Sequence, residues 1–150
     1  MESGRLKICP FAFVFGIIVL CSSCNATVSF WSPYSVTESR VVVGKEIGVH
    51  KFAGAYIDVV NNSDRVIQSG VLSFMLFDSN GKSCGIPSLL SASVDLGLMP
   101  GEEKQIILSL DDVLGANVDR TYKLDFVHFT RLNYEDGSCW IDPLGVSVGW

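Results

Sequence analysis

Apolar residues in this chain fall into short runs separated by turn formers, and only the first run is long. Residues 40–43 form a β-branched run closed by Gly44. Residues 52–60 read as a strand that ends in Asn61-Asn62-Ser63-Asp64, a cluster of turn formers. Residues 71–77 are almost continuously apolar between Gly70 and Asp78-Ser79-Asn80-Gly81, and their length and flanks favour a buried strand over a helix. Asn80-Gly81 is a tight-turn signal because both residues tolerate positive φ. Residues 89–98 fit either element. Pro100-Gly101-Glu102-Glu103 is a turn, and residues 104–110 alternate weakly as a strand. Residues 111–117 fit one helical turn capped by Asp111 or Asp112. Tyr122, Leu124 and Phe126 share one face of a period-two run, opposite Lys123 and Asp125. Asp136-Gly137 then predicts a hairpin between residues 132–134 and 139–141, which Asp142-Pro143 ends.

After residue 24 no stretch keeps a helical apolar period beyond about two turns. Short strands with turn signals every 8–15 residues predict an all-β sandwich or small barrel. Its inward faces are expected from Val71, Phe74 and Leu76 with Ile57, Val59, Ile107 and Phe126. A membrane barrel needs about 8 strands of 9–11 alternating residues, which the continuous 72–77 run does not match.

The long run comes first. Arg5 and Lys7 precede 14 residues, 8–21, interrupted by Pro10 and Gly16 and followed by Ser22, Ser23 and Cys24. A transmembrane helix needs about 20 residues, so this layout predicts an export signal over residues 1–23 in preference to an uncleaved anchor. Ser22-Ser23-Cys24 resembles the lipobox of bacterial lipoproteins and makes Cys24 the expected lipidation site. Cys21 stands where that family has an aliphatic residue. Cleavage at Cys24-Asn25-Ala26 is the alternative, and it releases a soluble protein. Residues 24–35 are expected to be a linker and residues 36–150 the domain, with packing of Phe30, Trp31, Pro33 and Tyr34 back on that domain as the alternative.

Loss of residues 1–23 removes Glu2, Arg5 and Lys7, leaving 15 acids against 9 Lys and Arg, a net charge of −6. That balance disfavours nucleic acid, and no basic stripe offsets it. About 127 residues suffice for one domain with its own core. Export carries away Cys9 and Cys21, and Cys24 is lost to the lipid or to cleavage. Cys84 and Cys139 are then expected to form a disulfide in an oxidising compartment. The loop of 56 residues gives it about 4 kcal/mol on the chain-entropy model.

Phe74-Met75-Leu76-Phe77-Asp78 resembles the motif of the FxLYD domain, an immunoglobulin-like module of exported bacterial proteins, with Phe77 in place of the family's Tyr. The run from Tyr56 through Ile57, Asp58, Val59, Val60, Asn61 and Asn62 to Ser63 is similar to the family's strand ending in Asn-Asn or Asn-Ser. Asp78-Ser79-Asn80-Gly81-Lys82 and Leu98-Met99-Pro100-Gly101-Glu102 are similar to its turns, and Tyr134-Glu135-Asp136-Gly137-Ser138-Cys139-Trp140 resembles a terminal hairpin of related modules. The resemblance covers roughly residues 36–142. It implies an immunoglobulin-like antiparallel sandwich of about seven strands and brings no catalytic residues.

Other chemistry is weakly represented. His128 on an apolar strand reads as structural, and Cys84 with His128 as its base is disfavoured by the disulfide. Asp78-Ser79-Asn80-Gly81 fails the calcium-loop pattern because its glycine comes at the fourth position and not the sixth. The sequons at Asn25 and Asn61 count only in a eukaryotic route. No metal site and no cofactor is expected. Trp140 is assigned to the core, and Trp31 and Trp150 are candidate binding aromatics. The expectation is therefore a non-enzymatic exported module, held at the cell envelope by a lipid on Cys24, that contacts another envelope or extracellular protein. The alternative is a soluble secreted domain that binds a ligand such as a glycan.

Overall fold

The computed structural model describes residues 32–44, 48–115, 118 and 121–146. The signal segment, Cys24, Trp31 and Trp150 lie outside the described residues. Seven strands are described: β1 (Tyr34–Val43), β2 (Ala53–Asn61), β3 (Ile67–Phe77), β4 (Ser83–Leu98), β5 (Glu103–Ser109), β6 (Lys123–Tyr134) and β7 (Cys139–Ile141). A single helical turn, α1 (Asp111–Leu114), follows β5. The strands form two antiparallel sheets, β1-β2-β5 and β4-β3-β6-β7, packed as the expected all-β sandwich.

The core follows from period two. Ala53, Ala55, Ile57 and Val59 face inward from β2, and Leu72, Phe74 and Leu76 from β3, all buried. Phe77 and Asp78, the end of the motif stretch, are half-buried. Each fully buried Leu, Ile or Phe contributes about 1.5–3 kcal/mol of transfer free energy. Three expected core residues face elsewhere. Val71 lies on the outer face of β3. Ile106 is buried in place of Ile107, which pairs with the outward Tyr56. Phe126 is 44% exposed, because β6 carries an extra residue there. Ser73 pairs with His128 but Met75 with Asp125, so Phe126 and Val127 together oppose Phe74. One inserted residue reverses the faces of everything beyond it.

The first strand begins at Tyr34, two residues inside the segment expected as linker. Tyr34 is 2% exposed and joins the sheets: its hydroxyl accepts the Phe129 N–H at 2.8 Å. Its ring meets Phe129 and Trp140 edge-on, at 5.0 and 5.8 Å. Burial pushes the hydroxyl far above the ordinary tyrosine range. Asn61 makes a second tie. Its amide donates to the Leu98 and Arg65 carbonyls while its Oδ1 accepts from Ser63, so the buried side chain is satisfied on both ends.

The expected disulfide is corrected. Cys84 and Cys139 are free thiols on opposite edges of the four-stranded sheet. Cys84 pairs with Leu76, whereas Cys139 pairs with Asn133, which pairs with Ser69. Three strand spacings and seven residues along β3 separate them by roughly 25 Å, against a limit of about 7 Å between bridged Cα atoms. Cys139 is exposed. Cys84 is half-buried, and burial with the nearby Asp78 charge pushes its thiol up. Alkylation of the folded protein without reductant is expected to label Cys139 quickly and Cys84 slowly. A protein refusing both labels until reduced would contradict this placement.

Candidate functional site

The end of the sandwich where β3 finishes and β6 begins holds a cavity of about 420 Å³. Phe77, Asp78, Tyr122, Lys123 and Asp125 line it, with Ser79, Gly81 and Thr121. Local sequence builds each wall. Asp78 Oδ1 accepts the N–H groups of Asn80 and Lys82 at 2.9 Å each, and Gly81 takes φ +74°, so the expected Asn80-Gly81 turn forms. Across from it, Asp125 Oδ2 accepts Lys123 Nζ at 3.0 Å and Oδ1 accepts the Phe126 N–H at 3.0 Å. These two bonds, the lysine first, hold the Asp125 carboxyl below its ordinary range. Phe126 itself sits at φ +51°, a conformation a bulky residue adopts only under constraint. Two aromatic rings, two carboxylates and an ammonium thus converge on one concave surface. That set can stack a ring or sugar face and hydrogen-bond its polar rim.

On the outer face of the four-stranded sheet lies a polar cluster in which Ser73 and His128 are buried and Ser91 is exposed. Ser73 pairs in register with His128 on one side and Ser91 on the other, and the two serine hydroxyls are 2.8 Å apart. His128 Nδ1 is 2.9 Å from the Phe126 carbonyl, a pure acceptor, so Nδ1 carries the proton. His128 Nε2 is buried without a partner among the described residues. Gly145 packs directly on the imidazole: a Cβ there falls 2.9 Å from Cγ. Cys84 faces the core from the opposite face of the same sheet, so the structure does not bring Cys84 and His128 together. Among the described residues no group of three or more His, Cys, Asp or Glu converges to hold a metal ion.

His50 and Asp111 form a further corner. His50 folds over Gly54, where a Cβ would collide with its Cδ2, and its Nε2 lies 3.0 Å from the Tyr56 hydroxyl. Arg40 stacks on that tyrosine, 5.5 Å from the ring centre. Asp111 was expected as a helix cap, but Leu110 occupies that position without a side-chain bond. The Asp111 carboxylate instead accepts the N–H groups of Lys51, Phe52 and Ala53 at 2.6–3.0 Å, pinning the loop before β2 to the end of β5. These bonds, Ala53 and Lys51 foremost, lower its pKa from 3.8 to about 2. The unfolded chain therefore takes the proton first as pH falls. The stabilisation is complete above about pH 4 and lost toward pH 2. Asp111→Ala is expected to lower the urea midpoint at pH 7 and to differ from the parent much less at pH 2. A gap unchanged between the two pH values would contradict the assignment.

The rim cavity was not legible in the sequence, because no Gly or Pro marks the bulge. The available signal was spacing: Leu124, Val127 and Phe129 break period two at the point where the extra residue enters.

No family model matches the chain, and no curated protein matches it. Among solved structures it is similar to a hypothetical protein from Peptoclostridium difficile 630. That likeness has a TM-score of 0.50 at 8% identity, over 74% of this chain and 87% of the other. At this identity the likeness concerns the fold alone.

Proposed function

We propose that this protein is an exported, lipid-tethered binding module of the bacterial envelope that contacts another envelope or extracellular protein and carries no catalysis. The observation that carries the reading is the N-terminal order: Arg5 and Lys7, the apolar run, then Ser22-Ser23-Cys24, only nine residues before the sandwich region opens at Tyr34. The FxLYD-like motif at Phe74-Met75-Leu76-Phe77-Asp78 supports the same reading. A short tether holds the domain close to the surface it is anchored on. Cys24→Ser is expected to move the protein from the membrane fraction to the soluble fraction without changing its melting temperature. A wild-type protein already in the soluble fraction would overturn the tether. A photo-crosslinker at Phe126 is expected to capture one protein partner in cells, and a hydrolytic activity lost on His128→Ala would overturn the non-enzymatic reading.

A second reading rests on the rim cavity. Tyr122 and Phe77 beside Asp78 and Asp125 favour a polar ring such as a glycan for a secreted form. Glycan-array binding that disappears in Tyr122→Ala supports it, and a blank array removes its basis.

A further inference from the structure

We propose that the protein pairs with a second copy of itself through the free edge of β4, joining two four-stranded sheets into one of eight strands. The inference does not depend on tethering. Four strands stand at sheet edges: β1, β5, β4 and β7. An edge strand presents unpaired N–H and C=O groups, and proteins blunt such edges with charge, proline or brevity. Three edges here are blunted. β1 exposes Glu38 and Arg40, β5 exposes Glu103, Lys104 and Gln105, and β7 is three residues long and runs into Asp142-Pro143.

β4 is different. It spans 16 residues and is paired, among the described strands, only with β3. Pro87 bounds its open stretch on one side, and on the other Lys104 Nζ donates to the Leu96 carbonyl. Between them, Asp95 is the one charged residue in Leu89-Leu90-Ser91-Ala92-Ser93-Val94-Asp95.

That segment is also self-complementary. In an antiparallel two-fold pair centred on Ala92, Ser91 meets Ser93, Leu90 meets Val94, and Leu89 meets Asp95. The faces match as well. Leu90, Ala92 and Val94 lie on the core side and are half-buried, whereas Leu89, Ser91, Ser93 and Asp95 are exposed on the outer side. The pair therefore opposes no like charges and keeps apolar opposite apolar on the inner face. A closed two-fold contact of this kind also removes the edge that would otherwise recruit further chains.

The test uses the full chain, expressed with its own leader and purified as the cell processes it, in density-matched detergent. Sedimentation equilibrium is expected to give twice the chain mass, and hydrogen exchange is expected to slow at residues 89–95 as concentration rises. The double variant Ser91→Glu, Ser93→Glu sets four carboxylates around the two-fold axis and is expected to sediment as a monomer with unchanged circular dichroism. Ser93→Pro, which removes an N–H, is the second variant should the first misfold. A wild-type monomer at every concentration overturns the proposal, and so does a dimer whose residues 89–95 gain no protection.

Discussion

Phe74→Asp is expected to abolish folding of the domain, while the same change at Phe126 is expected to leave it intact. Phe74 is 3% exposed in the middle of β3, the strand paired on both sides. Truncating a buried phenylalanine costs about 3–5 kcal/mol through lost transfer and the cavity left behind, and an unpaired buried carboxylate adds several more. A domain of this size has about 5–15 kcal/mol in total. Phe126 is on the outer rim, and its positive φ suits aspartate better than phenylalanine. Phe126→Asp is expected to stay within about 0.5 kcal/mol of the parent. Near-UV circular dichroism and urea midpoints distinguish the two. A Phe74→Asp protein that melts like the parent would take β3 out of the core.

Tyr34→Ala is the second large effect, with an expected cost of about 3–5 kcal/mol. The ring fills the space between Phe129 and Trp140, and its hydroxyl is the acceptor for a buried backbone N–H. Tyr34→Phe keeps the ring and loses only that acceptor, so about 1–3 kcal/mol is expected. The two urea midpoints together separate packing from hydrogen bonding. A Tyr34→Ala loss below about 1 kcal/mol would return residue 34 to the linker.

The strands were legible where turn chemistry punctuates the chain. Asn61-Asn62-Ser63-Asp64, Asn80-Gly81, Pro100-Gly101 and Asp136-Gly137 each end an element because those residues prefer turns whatever surrounds them. Faces were less legible. They were right at Phe74 and Leu76 and at Ile57 and Val59, and wrong at Val71, where the apolar run is continuous and hides the phase, at Ile107, whose neighbour Ile106 is equally apolar, and at Phe126, where a bulge without Gly or Pro shifts the register. Tyr34 falls in the segment expected as linker, with packing back on the domain as the alternative, and only the opposite sheet shows that its hydroxyl has a partner. The cysteine pairing failed for a similar reason. Counting thiols carries no information on which sheet edge each one occupies. Asp111 or Asp112 was expected to cap the helical turn, but Asp111 satisfies backbone 58–60 residues earlier in sequence, beyond the reach of any local rule.

Two claims meet in the mature chain: a lipid on Cys24 and a sandwich that keeps Cys84 and Cys139 apart. The intact mass of the protein from membrane and medium fractions, alkylated with and without reductant, tests both at once. The account predicts a membrane species that begins at Cys24, carries acyl chains and takes two alkyl groups without reductant. An unacylated species in the medium beginning near Asn25, or a chain that takes no alkyl group until reduced, would contradict it.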